Sequence, residues 1–339
     1  MPEITERLIS DLSVIVVTWN GDDLLRNCLS SMVSVYGGGL EIIVVDNANQ
    51  CSTRELVNGF DGCKYIPTVS NLGFAGGNNI GLAYCSRRYV LLLNNDTIVH
   101  EDSFTPMVRY MTCNPKVAVV QGTMVLPLCG GELDVCGFLM TPCGPRYGRF
   151  NKKSRMVLSG KGACLMFRKS VIDDLDGVLF YDCFRNNHEE VDFCHRVWLM
   201  GYEVWFLNTP AIDHLNGRTF ERLPEDRGEV TSLMIANYYS SLFTLLEWRN
   251  IFGVCGKSLF LDVVVCTLML FSLKWRKAYV YPRALVILFL RIKMMVKVRR
   301  AVQRRRRLSD RELFAKVLVR PPFGSYFYSI RGRCVDYGF

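Results

Sequence analysis

The stretch Tyr89-Val90-Leu91-Leu92-Leu93-Asn94-Asn95-Asp96-Thr97 is an apolar run that ends abruptly in two amides and a carboxylate. Such a run predicts a strand that is buried on both faces of a sheet. Open α/β sheets bind their ligands at the carboxyl ends of strands, so Asp96 is a candidate ligand for a divalent cation. An ordinary polar turn would also explain Asn-Asn-Asp, and the rest of the chain has to decide between the two.

Apolar runs and helical patterns alternate on the amino-terminal side of this strand. Strands are predicted at 13–17, 41–46 and 63–67, with helices after the first two and a glycine-rich segment, 70–81, that opens a third helix. This alternation predicts an α/β fold with a mostly parallel central sheet flanked by helices. The candidates that fall at the carboxyl ends of these strands are Thr18, Asn20, Asp46, the segment from Asn71 to Asn79, and Asp96.

A dinucleotide-binding Rossmann domain is the obvious rival, because Asp46 ends the second strand, where that fold binds a ribose. However, the first strand is followed by Thr18-Trp19-Asn20 and not by G-x-G-x-x-G. The pyrophosphate cradle is therefore missing from the place where a Rossmann domain needs it, and this rival is disfavoured.

A second cluster of carboxylates follows at 187–196, with the sequence Asn-His-Glu-Glu-Val-Asp-Phe-Cys-His-Arg. Asn187 is a candidate N-cap for a helix that begins at Glu189. Acids in a first helical turn can simply complement the helix dipole. Alternatively, repulsion between adjacent Glu189 and Glu190 would raise the pKa of one of them, as a general base requires. His214 ends a later apolar run, and a lone histidine there is either structural or a ligand.

The chain has 339 residues and a net charge of +9, and 291–307 alone contains nine basic residues and no acid. The rest of the chain is therefore neutral, which argues against a nucleic-acid-binding surface. The amino terminus lacks the pattern of a secretory signal, so we expect a cytoplasmic protein. The 14 cysteines are expected to be reduced, since no Cys-x-x-Cys pair occurs and the spacing of Cys129, Cys136 and Cys143 is unusual for zinc.

These motifs, in this order, resemble those of family 2 glycosyltransferases with a GT-A fold. The series comprises T-x-N, V-V-D-N, N-x-G-F-A-G-G-N-N-x-G, L-L-N-N-D-T, G-A-C-L, E-E-V-D-F-C-x-R and a late histidine, over about residues 12–218. Within the family the chain is most similar to the rhamnosyltransferase-like branch, which often has N-N-D in place of D-x-D. The resemblance implies a GT-A nucleotide-diphospho-sugar transferase domain at 1–222, followed by a helical region at 223–339.

The resemblance also implies roles for individual residues. Asp96 would bind Mg²⁺ or Mn²⁺, with His214 near the metal or diphosphate, and Glu190, preceded by Glu189, would be the catalytic base. The residues implied to contact the nucleotide or donor sugar are Thr18, Asn20, Asp46, Asn71, Gly73, Asn79, Asn94 and Asn95.

Two departures from the family pattern bear on these roles. Asn94 replaces the first acid of D-x-D, which removes a negative charge from the metal site, and Glu190 replaces an aspartate. The longer side chain leaves room for Glu189 to be the base instead.

The carboxyl-terminal third is apolar and helical. Its most hydrophobic segments, 263–273 and 284–290, are each shorter than the roughly 18–20 residues that span a bilayer, so we expect no span. Flanking aromatic residues and the basic run 291–307 favour helices that lie on an anionic membrane surface. A buried two-helix appendage with a solvated basic tail is the alternative.

Together these observations predict an inverting glycosyltransferase. It would transfer a sugar, such as rhamnose or another hexose, from a nucleoside-diphosphate donor to a glycan or lipid-linked acceptor at the cytoplasmic face of a membrane. The chemistry is metal-assisted single displacement, in which a cation offsets charge on the leaving diphosphate and a carboxylate deprotonates the acceptor. The alternative is a non-catalytic sugar-nucleotide or membrane-binding protein with the same fold.

Overall fold

The structure is a computed structural model that describes residues 8–215 and 227–322. The boundary predicted between 222 and 223 lies outside these residues. The strands are β1 (Leu12–Thr18), β2 (Glu41–Asp46), β3 (Cys63–Pro67), β4 (Tyr89–Asn94), β5 (Thr97–Val99), β6 (Val117–Gln121), β7 (Met124–Leu126), β8 (Glu132–Leu133), β9 (Phe138–Thr141), β10 (Gly144–Gly148), β11 (Arg155–Met156), β12 (Cys164–Arg168), β13 (Glu203–Phe206) and β14 (Ile212–His214).

The helices surround these strands and continue beyond them. They are α1 (Asp22–Tyr36), α2 (Cys51–Asn58), α3 (Gly73–Tyr84), α4 (Phe104–Cys113), α5 (Val171–Asp174), α6 (Glu189–Leu199), α7 (Arg227–Leu245), α8 (Trp248–Phe271), α9 (Trp275–Ala278), α10 (Val280–Arg305) and α11 (Asp310–Val317).

An eight-stranded sheet with the order β11-β13-β6-β12-β4-β1-β2-β3 forms the centre of the fold. Strand β4 lies between β1, to which it is parallel, and β12, to which it is antiparallel, and its residues 89–93 are fully buried. The prediction of a doubly buried strand in an α/β fold is therefore confirmed. The sheet is mixed, because β12 also runs antiparallel to β6.

The register of this sheet brings the ends of several strands to one edge. Thr18 of β1 is opposite Asp46 of β2, and Val17 is opposite Asn94 of β4. Because β12 is antiparallel, its beginning lies at the same edge as the end of β4. The loops that carry the candidate site residues therefore meet there.

A second sheet, with the order β5-β14-β7-β8, lies beyond that edge. In it His214 pairs with Thr97, the residue after Asp96, and Met124 of β7 pairs with Ile212. This small sheet brings together residues that are more than 100 positions apart in the chain.

The glycines of α3 allow this helix to approach the sheet closely. A Cβ on Gly77 would lie 2.7 Å from Val17 Cγ1, and one on Gly81 would lie 2.6 Å from Ile15 Cγ2. Real Cβ atoms do not approach other atoms this closely, so side chains there would push α3 away from β1.

The expectation that no apolar segment is long enough to cross a membrane is wrong for the first segment. It belongs to α8, a continuous 24-residue helix, which by length and composition alone is the one candidate span within the described ranges. Asp262 does not interrupt its outer face, because this carboxylate is buried and accepts a hydrogen bond from the Tyr239 hydroxyl (2.6 Å).

Candidate active site

Asp96 and His214 lie side by side at the carboxyl edge of the sheet. Both are buried, and Asp96 Oδ1 is 3.5 Å from His214 Nε2. This Oδ1 accepts no hydrogen bond from any described residue. Asn94 Nδ2 is also 3.5 Å from Nε2. A buried carboxylate oxygen without a donor, facing an imidazole nitrogen, fits a shared divalent cation.

The position of the imidazole is set by a residue that sequence reasoning missed. Asp134 Oδ2 accepts a hydrogen bond from His214 Nδ1 (2.7 Å), and Lys161 Nζ donates to both oxygens of Asp134 (3.0 and 2.8 Å). Because Nδ1 is bonded to the Asp134 carboxylate, Nε2 faces Asp96. This is the orientation that His214 would need in order to bind a metal through Nε2. The one available signal was a single acid between the apolar residues Leu133 and Val135.

The charges around His214 shift the pKa values of both Asp134 and His214. Burial opposes ionisation of Asp134, but Lys161 and His214 outweigh it and hold the pKa of this carboxyl well below its usual range. For His214, burial and Lys161 oppose protonation, whereas Asp134 and Asp96 raise the pKa overall. Within the described ranges, no three His, Cys, Asp or Glu side chains are grouped so as to hold an ion. Any cation there would need further ligands, for which donor phosphates are suited.

The residues predicted to contact the nucleotide are arranged around the ends of β1 and β2. Asn95 Nδ2 donates to Thr18 Oγ1 (3.0 Å), and Asn20, which is exposed with φ 50°, accepts from Gln50 Nε2 (2.7 Å). Asp46 is fully buried, and its carboxylate accepts hydrogen bonds within its own loop from the amides of Ala48 and Gln50. Their contacts with a nucleotide stay a prediction.

The glycine-rich segment has structural contacts of its own. Asn71 Oδ1 accepts a hydrogen bond from the Gly73 amide (2.9 Å), and Gly73 has φ +71° with the Arg185 carbonyl 2.7 Å from where a Cβ would be. Asn79 exchanges hydrogen bonds with the backbone of Phe180 (2.9 and 3.0 Å). Asn79 thus anchors the loop before α6, and its role toward a donor sugar also stays a prediction.

Glu189 and Glu190 begin α6. Glu189 is 4% exposed, whereas Glu190 is half-buried, and one oxygen of each lacks a hydrogen-bond partner among the described residues. Burial raises the pKa of both, and the charge of Glu190 raises that of Glu189 further. Lys161 opposes the shift at Glu190, whose Cβ is 3.8 Å from a Cβ built on Gly162. The charge of Lys161 therefore acts on both carboxylate clusters.

The expected N-cap of α6 is wrong by one residue. His188 occupies that position, with φ 74°, and its side chain makes no capping hydrogen bond. Asn187 is also left-handed, with φ 66°, and its carbonyl accepts a hydrogen bond from Asn237 of α7. Contacts with the carboxyl-terminal helices set the start of this helix, and local capping rules cannot foresee them.

The family model described as Glycosyl transferase family 2 matches residues 13–175. Residues 13–175 therefore match glycosyl transferase family 2. The matched range includes Asp96, Asp134 and Lys161, and the match confirms the family that the motif order indicated. The rhamnosyltransferase-like branch stays a prediction.

The relatives that this chain matches are named for glycan biosynthesis and polysaccharide synthesis. The chain is 27% identical over 207 residues to the low-salt glycan biosynthesis hexosyltransferase Agl10 of Haloferax volcanii, covering 57% of this chain and 64% of that protein. It is 24% identical over 203 residues to poly-beta-1,6-N-acetyl-D-glucosamine synthase of Staphylococcus epidermidis, covering 58% and 48%. The chain thus spans about half to two thirds of the length of these relatives.

Solved structures confirm the GT-A type fold of this chain. S. aureus TarS 1-349 in complex with UDP-GlcNAc superposes with a TM-score of 0.55 at 14% identity, covering 74% of this chain and 71% of that chain. The mannosyltransferase PcManGT from Pyrobaculum calidifontis, in complex with GDP-Man and Mn²⁺, gives 0.51 at 15% identity, covering 84% and 75%.

We expect Asp134→Asn to lower the free energy of unfolding by about 3–5 kcal/mol, because it removes one member of a buried charged cluster. Asp213→Asn is a matched control, since Asp213 pairs with the exposed His100 (2.8 Å), and this substitution should cost less than about 1 kcal/mol. Urea unfolding of both variants measures the difference. Equal losses would mean that the Asp134 cluster is not specially stabilising.

A second prediction concerns Glu189, whose pKa is raised by burial and by Glu190. A raised folded pKa favours folding at low pH, and this contribution is lost as pH rises through it. We therefore expect the stability of the wild type to fall more steeply with rising pH above about 4.5 than that of Glu189→Gln. Thermal unfolding between pH 5 and 8 measures this difference, and parallel curves would contradict it.

Proposed function

We propose that this chain is an inverting glycosyltransferase that uses a nucleoside-diphosphate sugar and a divalent cation. The observation that carries the proposal is the presence of two carboxylate clusters, at Asp96 and at Glu190, at one edge of the sheet, where Lys161 pairs with Asp134 of the first and acts electrostatically on Glu190 of the second. The family match and the nucleotide sugars named for solved neighbours support the donor class.

In this proposal the two clusters have opposite tasks. Asp96 and His214 would hold Mg²⁺ or Mn²⁺, which offsets negative charge on the leaving diphosphate. Glu190, the more accessible of the two glutamates, would take the proton of the acceptor hydroxyl. Its raised pKa, due mainly to burial, makes it a better base than an ordinary carboxylate. A single base and direct displacement invert the configuration of the sugar.

The names of the relatives favour a hexose or N-acetylhexosamine as the donor sugar and a glycan as the acceptor. A lipid-linked acceptor is kept in the proposal from the sequence resemblance alone. A donor with rhamnose stays within the proposal. The competing function is a non-catalytic protein that binds sugar nucleotides. Release of nucleoside diphosphate that depends on Mn²⁺ distinguishes the two.

We expect Glu190→Gln to lower kcat by about 10²- to 10⁴-fold while leaving donor binding intact, because it removes the base alone. Asp96→Ala should instead weaken Mn²⁺-dependent donor binding. UDP-N-acetylglucosamine and GDP-mannose with Mn²⁺ are the probes, followed by calorimetry and by nucleoside diphosphate release. Full activity of Glu190→Gln together with an inactive Glu189→Gln would assign the base to Glu189.

We also propose that α8 and α10 attach the protein to an anionic membrane. Along α10, strongly exposed apolar side chains in the first half of the helix are followed by exposed cations in the second half. The apolar residues are 57–77% exposed: Leu285, Val286, Phe289 and Leu290. The exposed cations follow at intervals of three or four residues, which keeps them on one side of the helix: Lys293, Lys297, Arg300 and Arg304.

Not all nine cations of 291–307 are available for lipid. Arg291, Arg299 and Arg306 donate hydrogen bonds to protein carbonyls, and Arg305 and Arg307 pair with Asp176 and Asp174. The expected contribution is therefore about 4 kcal/mol from four cations at roughly 1 kcal/mol each. It adds to the burial of the apolar residues, because the charged stripe continues the apolar one along the same helix.

Replacing Lys293, Lys297, Arg300 and Arg304 by glutamine should weaken binding to vesicles of phosphatidylcholine with 30% phosphatidylglycerol by at least about 100-fold. Replacing four exposed cations elsewhere, Arg26, Arg109, Lys152 and Lys153, is the matched control and should have little effect. Vesicle co-sedimentation measures both. If alkaline carbonate failed to release the wild type from membranes, α8 would span the bilayer and surface attachment would be refuted.

A further inference from the structure

The loop directly before the candidate base has an unfavourable backbone. Arg185 (φ 54°, ψ −65°), Asn187 (φ 66°) and His188 (φ 74°) all have positive φ, although none is glycine. Such conformations persist only where surrounding contacts enforce them. The loop 183–188 is therefore held in place from outside, and it sets the position of Glu189 and Glu190.

Asn237 of α7 makes the largest number of these contacts with the loop, and its side chain is fully buried. Its Nδ2 lies within hydrogen-bond distance of three carbonyls of the loop, those of Phe184 (2.9 Å), Asn186 (3.3 Å) and Asn187 (2.8 Å). A single amide thus contacts the backbone on both sides of Arg185 and the peptide that joins Asn187 to His188.

Arg291 of α10 fixes the orientation of that amide. Its Nη1 donates to Asn237 Oδ1 (2.8 Å), and its Nη2 donates to the Cys183 carbonyl. Because a guanidinium can only donate, the oxygen of Asn237 has to face Arg291 and the nitrogen has to face the loop. Arg291 is part of the basic run 291–307, yet its side chain points into the protein and not toward solvent.

The other side of the loop is held by the glycine-rich helix α3. The Ala75 amide donates to the Arg185 carbonyl (3.0 Å), and the Phe74 amide donates to Asn186 Oδ1 (2.8 Å). The loop 183–188 therefore lies between α3 on one side and the carboxyl-terminal helices α7 and α10 on the other.

We infer that Asn237 and Arg291 are positioning residues for the carboxylates of Glu189 and Glu190, so that the carboxyl-terminal helices complete the active site. The inference rests on the proposed function, in which one of these glutamates is the base. Loosening the loop lets the glutamates leave their buried positions, which affects the chemical step while the donor contacts at Asp96 stay intact. The helix that carries the membrane-facing stripe is thereby connected to the base through one guanidinium.

The test uses the full chain and the variant Arg291→Gln. We expect faster hydrogen–deuterium exchange in 183–190 and a kcat at least tenfold lower, with the KM for the donor changed less than twofold. UDP-N-acetylglucosamine or GDP-mannose with Mn²⁺ is the donor. Arg291→Lys, which keeps the charge but lacks the planar fork, should fall between the wild type and Arg291→Gln.

Arg305→Gln is the matched control, because Arg305 lies on the same helix and pairs with Asp176 without contacting the loop. It should leave exchange at 183–190 and kcat unchanged. Unchanged exchange in Arg291→Gln, or an equal loss of kcat in Arg305→Gln, would overturn the inference. Full activity of Glu190→Gln and Glu189→Gln would instead refute the proposed base, while exchange, measured without donor, still reports on the loop.

Discussion

The pairing of β14 with β5 is the constraint on which the candidate active site depends. It places His214 opposite Thr97 and therefore beside Asp96, although the two residues are separated by more than 100 positions. The adjoining β7–β8 hairpin adds Asp134, whose carboxylate orients the imidazole. Without this small sheet, Asp96 would be a lone carboxylate at the end of a strand. With it, the carboxylate has a defined partner and an oxygen available to a cation.

Burial has opposite consequences in the two halves of the site. At Asp134, the positive charge of Lys161 and the hydrogen bond from His214 more than compensate for the loss of water. At Glu189 and Glu190 the compensation is incomplete, so burial raises their pKa values. Lys161 contributes to both balances, because it pairs with Asp134 and lowers the shift at Glu190. One cation thus allows a low-pKa cluster and a high-pKa pair to occupy the same edge of the sheet.

The carboxyl-terminal helices have two faces with different tasks. The inner face supplies Asn237 and Arg291 to the loop before α6, and Arg299 to the carbonyls at the end of α7. The outer face exposes apolar residues and then cations. The basic residues of 291–307 therefore fall into an inward-facing and an outward-facing set, because residues three or four positions apart lie on the same face of a helix.

The sequence by itself determined the buried strand β4, the alternation that produces the α/β sheet, the glycine-rich helix and the family, because these depend on local periodicity and on the order of motifs. Tertiary structure alone decided that Asp134 orients His214, that His188 and not Asn187 is the N-cap of α6, and that the Arg291 side chain points into the protein. Each of these outcomes depends on contacts between distant elements, and side-chain type does not reveal which carbonyl or carboxylate will be adjacent. The length of α8 was also underestimated from sequence, because its apolar segment was taken to begin at 263, whereas the helix begins at Trp248.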